Sequence, residues 1–370
     1  MASAADGWDA ALLAMGEAPG QQRCKKALSA ADGPVCVTGS SGFVALHLVQ
    51  QLLEKGYVVV GTVRSSSDET KMTPLRSLQA KFGEDKLKIV DGVDCLKSDS
   101  FDAAVAGCVG VFHTASPFHF NSTNPMEDLV KPAIEGTLAC LTACKKAGTV
   151  QRVVVTSSFA AIMNVPKYPF DYNYTSKDWN TVSKPDGEGQ FPAPIANNGY
   201  RYSKIVAEKA AWDFAAKEDC PFDVACINPP MVIGTNYNMP KSEADLNTSS
   251  ATVLKILTGR QAPNPNSMGF VDVADVARAH IAAYEHQEAG GRRFLCAADE
   301  VPLWTELAGM LKELYPEFPV NTTAPEAGPG VKMTLDTSGL KSLSGFTFTP
   351  LGETLKAQCE SLMTQQWAKL

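Results

Sequence analysis

The sequence has 370 residues, of which 45% are hydrophobic and 20% charged, and its formal net charge is −7. This balance is typical of a globular protein and argues against a broadly basic nucleic-acid-binding surface. No apolar run approaches the roughly 20 residues that cross a bilayer. The ten cysteines contain no CxxC pair and the five histidines form no cluster. We therefore expect reduced thiols in an intracellular protein, and no metal site.

In chain order, residues 1–33 form an Ala-rich extension, interpreted as an extra helix or a loose tail without transit-peptide features. From Val35 onward, short Val/Ile-rich runs alternate with helical stretches. The predicted strands are VCVT, YVVVGTV, LKIV, VGVFH, RVVVTSS and FDVACIN, and the predicted helices cover 43–55, 70–82, 100–106, 126–147 and 200–217. Continuous apolar strands separated by helices predict an α/β protein with a Rossmann-type, doubly wound parallel sheet.

The alternation of predicted strands and helices is interrupted at two places. Residues 162–198 are rich in Pro, Gly, Asn and aromatic side chains, which predicts a loop over the site. After Asn228 the strand–helix alternation dissolves. We divide the chain into an extension (1–33), a Rossmann domain (34–235) and a smaller lobe (236–370) with returning elements of the core. The predicted helices of the lobe lie near 251–257, 273–286 and 305–315 and from Leu351 onward.

The first strand leads into TGSSGFVA, where Gly39, Gly42 and Ala45 make a GxxGxxA pattern. Glycines allow the turn and the approach of a pyrophosphate to a helix start, and the small third residue lets helix pack on strand. Glycines in turns are common, so the pattern depends on its position between strand and helix. Arg64 follows the second strand where an NAD site usually has a carboxylate, and it suits a 2′-phosphate. The alternative is an exposed arginine.

The fifth predicted strand ends at Ser157 and Ser158, where hydroxyls face a ligand crevice or merely cap a turn. Tyr200 and Lys204 lie four residues apart, on one helical face, whereas Tyr202 points elsewhere and is interpreted as packing. A lysine cation and oxidised nicotinamide would lower the pKa of Tyr200. A second YxxxK pattern, starting at Tyr237, contains a proline that breaks the required helix.

The motifs TGSSGF, HTASP, TSS, YRYSK and NPPMVIGT, with Arg64, occur here in order, followed by GFVDVADVARAH and GFTFTPLGETL. In this the chain resembles the extended short-chain dehydrogenases/reductases over residues 34–355. Its branch is similar to the dihydroflavonol-4-reductases, cinnamoyl-CoA reductases and aldehyde/ketone reductases. The resemblance implies an NADP(H)-dependent oxidoreductase acting on carbonyl or CH–OH groups, and it leaves the substrate open.

By position, the resemblance implies that Ser158 hydrogen-bonds the substrate carbonyl, Tyr200 donates a proton, and Lys204 holds the nicotinamide ribose. Arg64 and Lys71 would meet the 2′-phosphate, and Asp94 the adenine. The implied cofactor-binding set is Gly39, Ser41, Gly42, Phe43, Arg64, Lys71, Asp94, Cys95, Thr114, Ala115, Ser116, Pro229 and Val232. Residues 34–235 are thus the predicted NADP-binding domain, and residues 236–370 mainly the predicted substrate-binding lobe.

The leading hypothesis is NADPH-dependent reduction of a ketone or aldehyde by a monomer or homodimer, with a small-molecule carbonyl partner and neither nucleic acid nor membrane. The alternatives on the same scaffold are a 3β-hydroxysteroid dehydrogenase and a nucleotide-sugar epimerase or dehydratase. A non-catalytic NADP(H) sensor is an alternative of another class. The final Ala368, Lys369 and Leu370 are similar to the peroxisomal SKL signal. They predict a peroxisome or related microbody and an import receptor, with the cytoplasm as the alternative.

Overall fold

A computed structural model describes residues 24–365 apart from 25, 98, 117–122, 165–170, 188, 194, 239, 241, 326–329 and 331. The possible helix in residues 1–23 and the C-terminal tripeptide lie outside the described residues. The described end of the extension packs on the body of the protein. Leu28 is buried, and its backbone N–H donates to the Glu285 carbonyl at 3.0 Å.

The strands are short and apolar, as the sequence predicts. In chain order they are β1 (Val35–Thr38), β2 (Val59–Thr62), β3 (Leu87–Val90), β4 (Gly110–His113), β5 (Arg152–Thr156), β6 (Asn173–Tyr174), β7 (Asp223–Asn228), β8 (Met231–Ile233), β9 (Phe270–Asp272), β10 (Arg293–Leu295) and β11 (Thr334–Leu335). Seven of them form one parallel sheet in the order β10-β7-β5-β4-β1-β2-β3. The predicted doubly wound fold is confirmed, and its strand order reverses direction between β1 and β4, which opens a ligand crevice at the strands' carboxyl ends.

Helices cover both faces of this sheet. In chain order they are α1 (Phe43–Glu54), α2 (Glu69–Phe82), α3 (Asp102–Val105), α4 (Lys131–Ala147, preceded by a π-helical turn, Met126–Val130), α5 (Ile195–Ala215), α6 (Thr248–Leu257), α7 (Val273–Glu285), α8 (Trp304–Leu314), α9 (Ser338–Ser344) and α10 (Leu351–Thr364). One apolar layer joins the sheet to α1 and α7, and the other joins it to α3, α4 and α5. The sheet is therefore buried on both faces, which explains its continuous apolar strands.

A smaller lobe packs at the crevice side. The pair β8–β9 and the helices α6, α8 and α10 share a separate apolar cluster around Leu254, Phe270 and Leu307. A second small pair, β6–β11, joins the 171–182 segment to residues 334–335. The sequence predicts that elements of residues 236–370 return to the core, but it does not identify β10 as the seventh strand of the main sheet, because a three-residue run is too short to give a strand signal.

Helix α5 begins five residues before the predicted start at Tyr200. Asn197, Asn198 and Gly199 are weak helix formers, so the sequence signal is low there. Tertiary contacts compensate: the Asn198 amide donates to the Pro192 carbonyl at 2.8 Å. A side chain at Gly199 would bring its Cβ within 2.4 Å of Pro125 Cβ, so the close approach of these segments requires glycine.

Three further properties concern the cysteines, the membrane and metal binding. Each of the ten cysteines carries a free thiol, and all but Cys24 are buried. Within the described ranges, no helix has the length and apolar character to span a membrane. In the same ranges, no group of three or more His, Cys, Asp or Glu side chains is arranged to hold a metal ion.

Candidate active site

The turn after β1 has the geometry of an anion-binding loop. Gly39 has a positive φ of 64°, and a Cβ there would lie 3.2 Å from Ala115 Cα, so both conformation and space require glycine. Gly42 is the N-cap of α1 and supplies no side-chain cap, which leaves N–H groups at the helix start for a ligand. Ser41 and Phe43 flank Gly42 and are half-buried. This arrangement fits a dinucleotide pyrophosphate.

The end of β2 carries the predicted cation. Arg64 is exposed, and its guanidinium hydrogen-bonds the thiol of Cys95. Burial raises the pKa of that thiol, and Arg64 partly opposes the shift. Asp94 is half-buried beside Cys95 and accepts the Leu96 N–H at 3.1 Å. Arg64 and Asp94 therefore lie beside Cys95 after the carboxyl end of β2. Binding of an adenosine 2′-phosphate by Arg64, and of the adenine beside Asp94, stays a prediction.

Lys71 is the second predicted ligand of the 2′-phosphate. It lies in the first turn of α2, is largely exposed, and its ammonium is 3.6 Å from the Asp68 carboxylate. A long exposed side chain at this position can reach a phosphate only by leaving that weak ion pair. Its role at the 2′-phosphate stays a prediction.

The end of β4 is tied directly to the end of β1. The backbone N–H groups of Thr114 and Ala115 donate to Thr38 Oγ1 at 3.1 and 3.0 Å. The ring of His113 contacts the same hydroxyl at 3.1 Å. The HTAS segment therefore lies against the glycine turn, and Thr38 is a supporting residue that the sequence analysis did not identify. Its position beside the nicotinamide stays a prediction.

The three predicted catalytic side chains come together at the ends of β5 and α5. Ser158 is half-buried, and its side chain hydrogen-bonds the half-buried Tyr200. The Lys204 ammonium lies 5.8 Å from the centroid of the Tyr200 ring and donates to Ser116 Oγ at 3.0 Å. Ser158 Oγ also accepts the Ala160 N–H at 3.1 Å, which fixes the serine at the start of a short 3₁₀ turn.

Burial controls the protonation of this centre. It raises the pKa of Tyr200, and the hydrogen bond with Ser158 partly opposes the shift. The expected lowering requires oxidised nicotinamide as well as the Lys204 cation, so it stays a prediction for the cofactor-bound enzyme. Burial lowers the pKa of Lys204 to about 8, and the negative charge of Glu208 opposes that shift. At neutral pH Tyr200 is therefore a neutral phenol able to donate a proton, and Lys204 is a cation.

The two competing tyrosines lie elsewhere. Tyr202 packs against the α4–α5 core and meets the Phe191 ring edge-on with centroids 5.9 Å apart. Tyr237 stacks on His47 with ring centroids 4.2 Å apart and lies outside any helix. Lys241, its partner in the second YxxxK pattern, lies outside the described residues. Of the three tyrosines, only Tyr200 contacts Ser158.

The segments after β7 close the crevice from the small lobe. The Pro229 carbonyl accepts the Phe159 N–H at 2.9 Å, next to the catalytic serine. Val232 is half-buried in β8. Sequence reasoning missed Asn238, whose amide donates to the Ser41 carbonyl at 3.0 Å and so joins the small lobe to the glycine turn.

Sequence reasoning also missed a buried polar cluster behind the catalytic centre. Its members are Ser157, Glu208, Asn228 and Arg293, each 6% exposed or less. Glu208 lies four residues after Lys204, so Tyr200, Lys204 and Glu208 follow one face of α5. That spacing was the signal available in the sequence.

The residues brought together here define a nucleotide-dependent enzyme with a Ser–Tyr–Lys centre on a Rossmann-type sheet. A search of family models matches residues 35–297 to the NAD dependent epimerase/dehydratase family. The chain is 38% identical over 337 residues to cinnamoyl-CoA reductase CAD2 of Medicago truncatula, an alignment covering 91% of this chain and 97% of that protein. The chain therefore belongs to the NAD dependent epimerase/dehydratase family, the extended short-chain dehydrogenases/reductases.

Two solved structures are similar over the same region. The structure of yeast methylglyoxal/isovaleraldehyde reductase Gre2 complexed with NADPH has a TM-score of 0.75 at 30% identity, covering 90% of this chain and 100% of that one. Vestitone reductase from alfalfa, Medicago sativa, has a TM-score of 0.73 at 27% identity, covering 91% and 100%. Both similarities extend across the sheet and the smaller lobe.

Proposed function

We propose that this protein is an NADPH-dependent carbonyl reductase that converts a ketone or aldehyde to an alcohol. The observation that carries the proposal is the contact between Ser158 and Tyr200, with Lys204 on the same face of α5. The named relatives are reductases, and the yeast structure holds NADPH. These findings do not favour an epimerase, a steroid dehydrogenase or a sensor.

The bound cofactor supplies the hydride, and the chain supplies orientation and the proton. Ser158 hydrogen-bonds the carbonyl oxygen and polarises it. Tyr200, kept neutral by its raised pKa, donates a proton to that oxygen. Lys204 holds the nicotinamide ribose through its ammonium group. Phe159 and Met163, which follow Ser158, belong to a buried apolar cluster and so support the main chain next to the serine.

The direct test is a panel of ketones and aldehydes, aromatic and aliphatic, followed by loss of NADPH absorbance. Product analysis should show the corresponding alcohol in equal amount to the NADPH consumed. Light scattering on the same preparation distinguishes a monomer from a homodimer. If NADPH binds but no carbonyl compound is reduced, the proposed activity is wrong.

The cofactor prediction concerns Arg64. Replacing it by alanine removes one charge-assisted contact to the 2′-phosphate, so NADPH affinity should fall roughly 10- to 100-fold while NADH affinity hardly changes. Calorimetric titration of both cofactors measures this. Arg260→Ala removes the same charge from an exposed pair with Glu243 in the small lobe and should change neither affinity. Equal affinity of the parent for NADPH and NADH contradicts the assignment.

The location proposal concerns Ala368, Lys369 and Leu370, which we propose to be read by a peroxisomal import receptor. In support, the last described helix, α10, ends at Thr364, so the tripeptide follows it in the sequence. The full chain, labelled at its N-terminus, should give a punctate signal that becomes diffuse when the three residues are deleted. A diffuse signal from both versions places the enzyme in the cytoplasm.

A further inference from the structure

The buried side-chain carboxylate of Glu208 accepts hydrogen bonds from four neighbouring residues. It is 1% exposed. Its Oε2 accepts from the Asn228 amide at 2.9 Å and from the Ser157 hydroxyl, and the Trp212 indole N–H donates to Oε1 at 3.3 Å. The Arg293 guanidinium, also buried, forms an ion pair with both oxygens. A carboxylate is kept charged away from water only by such a set of partners.

The cluster reaches the catalytic centre by two routes. Asn228 donates from the same amide nitrogen to the Ser158 carbonyl at 3.2 Å. This nitrogen therefore bridges the Glu208 carboxylate and the main chain of the catalytic serine. Lys204 and Glu208 also line a common cavity of about 10 Å³ between α5 and β5. That is close to the space of a single water molecule, so little solvent screens one charge from the other.

Arg293 extends the cluster to the segment that follows β6. It donates to the carbonyls of Ser176 and Asp178 at 2.9 and 2.8 Å, and its guanidinium stacks 3.7 Å from the centroid of the Trp179 ring. These residues follow β6 in the segment that leads to α5. The ion pair between Glu208 and Arg293 therefore connects helix α5, strand β10 and the 171–182 segment.

We propose that Glu208, held by Arg293, is a positioning residue for the reaction. Its carboxylate keeps Lys204 in the ammonium form and fixes the main chain of Ser158 through Asn228. This inference rests on the proposed reductase function, because it assigns Glu208 a task within that centre. Glu208 itself touches neither Ser158 nor Tyr200 through its side-chain contacts given above, so it acts through its neighbours.

The test is Glu208→Gln, which removes the charge at nearly constant size. We expect kcat for carbonyl reduction to fall on the order of tenfold, with little change in KM for the carbonyl compound. The alkaline limb of the pH profile, the range in which kcat falls as pH rises, should lie at lower pH in Glu208→Gln than in the parent. In the parent the pKa of Lys204 is about 8 because burial lowers it and Glu208 opposes this. Without Glu208 the ammonium is lost at lower pH.

The titratable groups beside Lys204 are Tyr200 and Glu208, which lie on its own helix, and His113, which faces the same cavity from β4. Helix α4 contributes Thr137, which is neutral, to this cavity. A readout without catalysis is the pH dependence of NADPH affinity, whose alkaline loss should also occur at lower pH in Glu208→Gln. Failure of the parent to reduce any carbonyl would refute the proposed function, yet this readout would still test Glu208.

The matched control is Asp223→Asn, which breaks the equally buried pair with Arg152 at the opposite, amino-terminal ends of β5 and β7. It should destabilise the fold without moving the alkaline limb of either readout. If Glu208→Gln does not fold, Glu208→Asp retains the charge and should keep the limb in place with a lower kcat. The inference is overturned if Glu208→Gln leaves the limb unchanged, or if Asp223→Asn moves it equally.

Discussion

Tyr200→Phe is expected to lower kcat for carbonyl reduction on the order of 10²-fold or more while NADPH still binds. The substitution removes the hydroxyl that contacts Ser158 and leaves the ring in place. Because burial keeps the phenol neutral at working pH, this hydroxyl is a proton donor that water does not easily replace. Steady-state rates with a substrate from the carbonyl panel, together with a cofactor titration, measure both parts of the prediction.

Tyr202→Phe is the control, since it makes the same chemical change two residues away. Its ring packs on the α4–α5 core, and burial raises its pKa as well, so burial alone does not distinguish the two tyrosines. What distinguishes them is the contact with Ser158. Activity close to that of the parent is expected from Tyr202→Phe; a large loss from this variant and a small one from Tyr200→Phe would reverse the assignment.

The second large effect concerns stability. Asp223→Asn should lower the free energy of unfolding by about 3–5 kcal/mol, because it leaves the fully buried Arg152 without its counter-charge. In the parent, Arg152 Nε and Nη2 donate to the two Asp223 oxygens at 2.6 and 2.9 Å. Arg152 Nη1 also donates to the carbonyls of Ala283 and Tyr284 at 3.1 Å, which secures the last turn of α7. Urea unfolding measures the change.

An exposed pair supplies the comparison for this experiment. In α10 the Lys356 ammonium lies 3.9 Å from the Glu360 carboxylate, and both side chains are more than half exposed. Glu360→Gln should therefore change the free energy of unfolding by less than about 0.5 kcal/mol. Similar midpoints for Asp223→Asn and Glu360→Gln would contradict the importance of the buried pair.

Much of the fold follows from local sequence signals. Fully apolar runs such as VCVT and RVVVT mark strands that are covered on both faces, and their alternation with helices predicts a parallel sheet. Strand β10 and the first turn of α5 could not be found in this way. The first is three residues long and is stabilised by pairing with β7, and the second contains Asn and Gly that are retained by contacts with Pro125 and Pro192.

The site residues also differ in whether a local sequence pattern indicates them. Gly39, Arg64 and the Tyr200–Lys204 pair have local patterns that indicate their chemistry. Glu208 has none on its own, because a glutamate on a helix is usually exposed. Its burial depends on Arg293, which lies 85 positions later in the sequence and reaches it only because β10 returns to the sheet. Long-range charge pairing of this kind is a property of the folded chain.

The way Arg293 holds the segment after β6 has a consequence for how new specificities arise. It binds the main-chain carbonyls of Ser176 and Asp178, and every residue type has such a carbonyl. The side chains of Ser176 and Lys177 can therefore change without loss of the anchor, whereas the buried Asp178 side chain is bonded to Tyr172 and Thr175. We expect mutations at Ser176 and Lys177 to change the surface of this segment while the catalytic apparatus keeps its shape. These two positions are thus a favourable place to begin a directed-evolution library, and Arg293 is a residue that such a library should leave untouched.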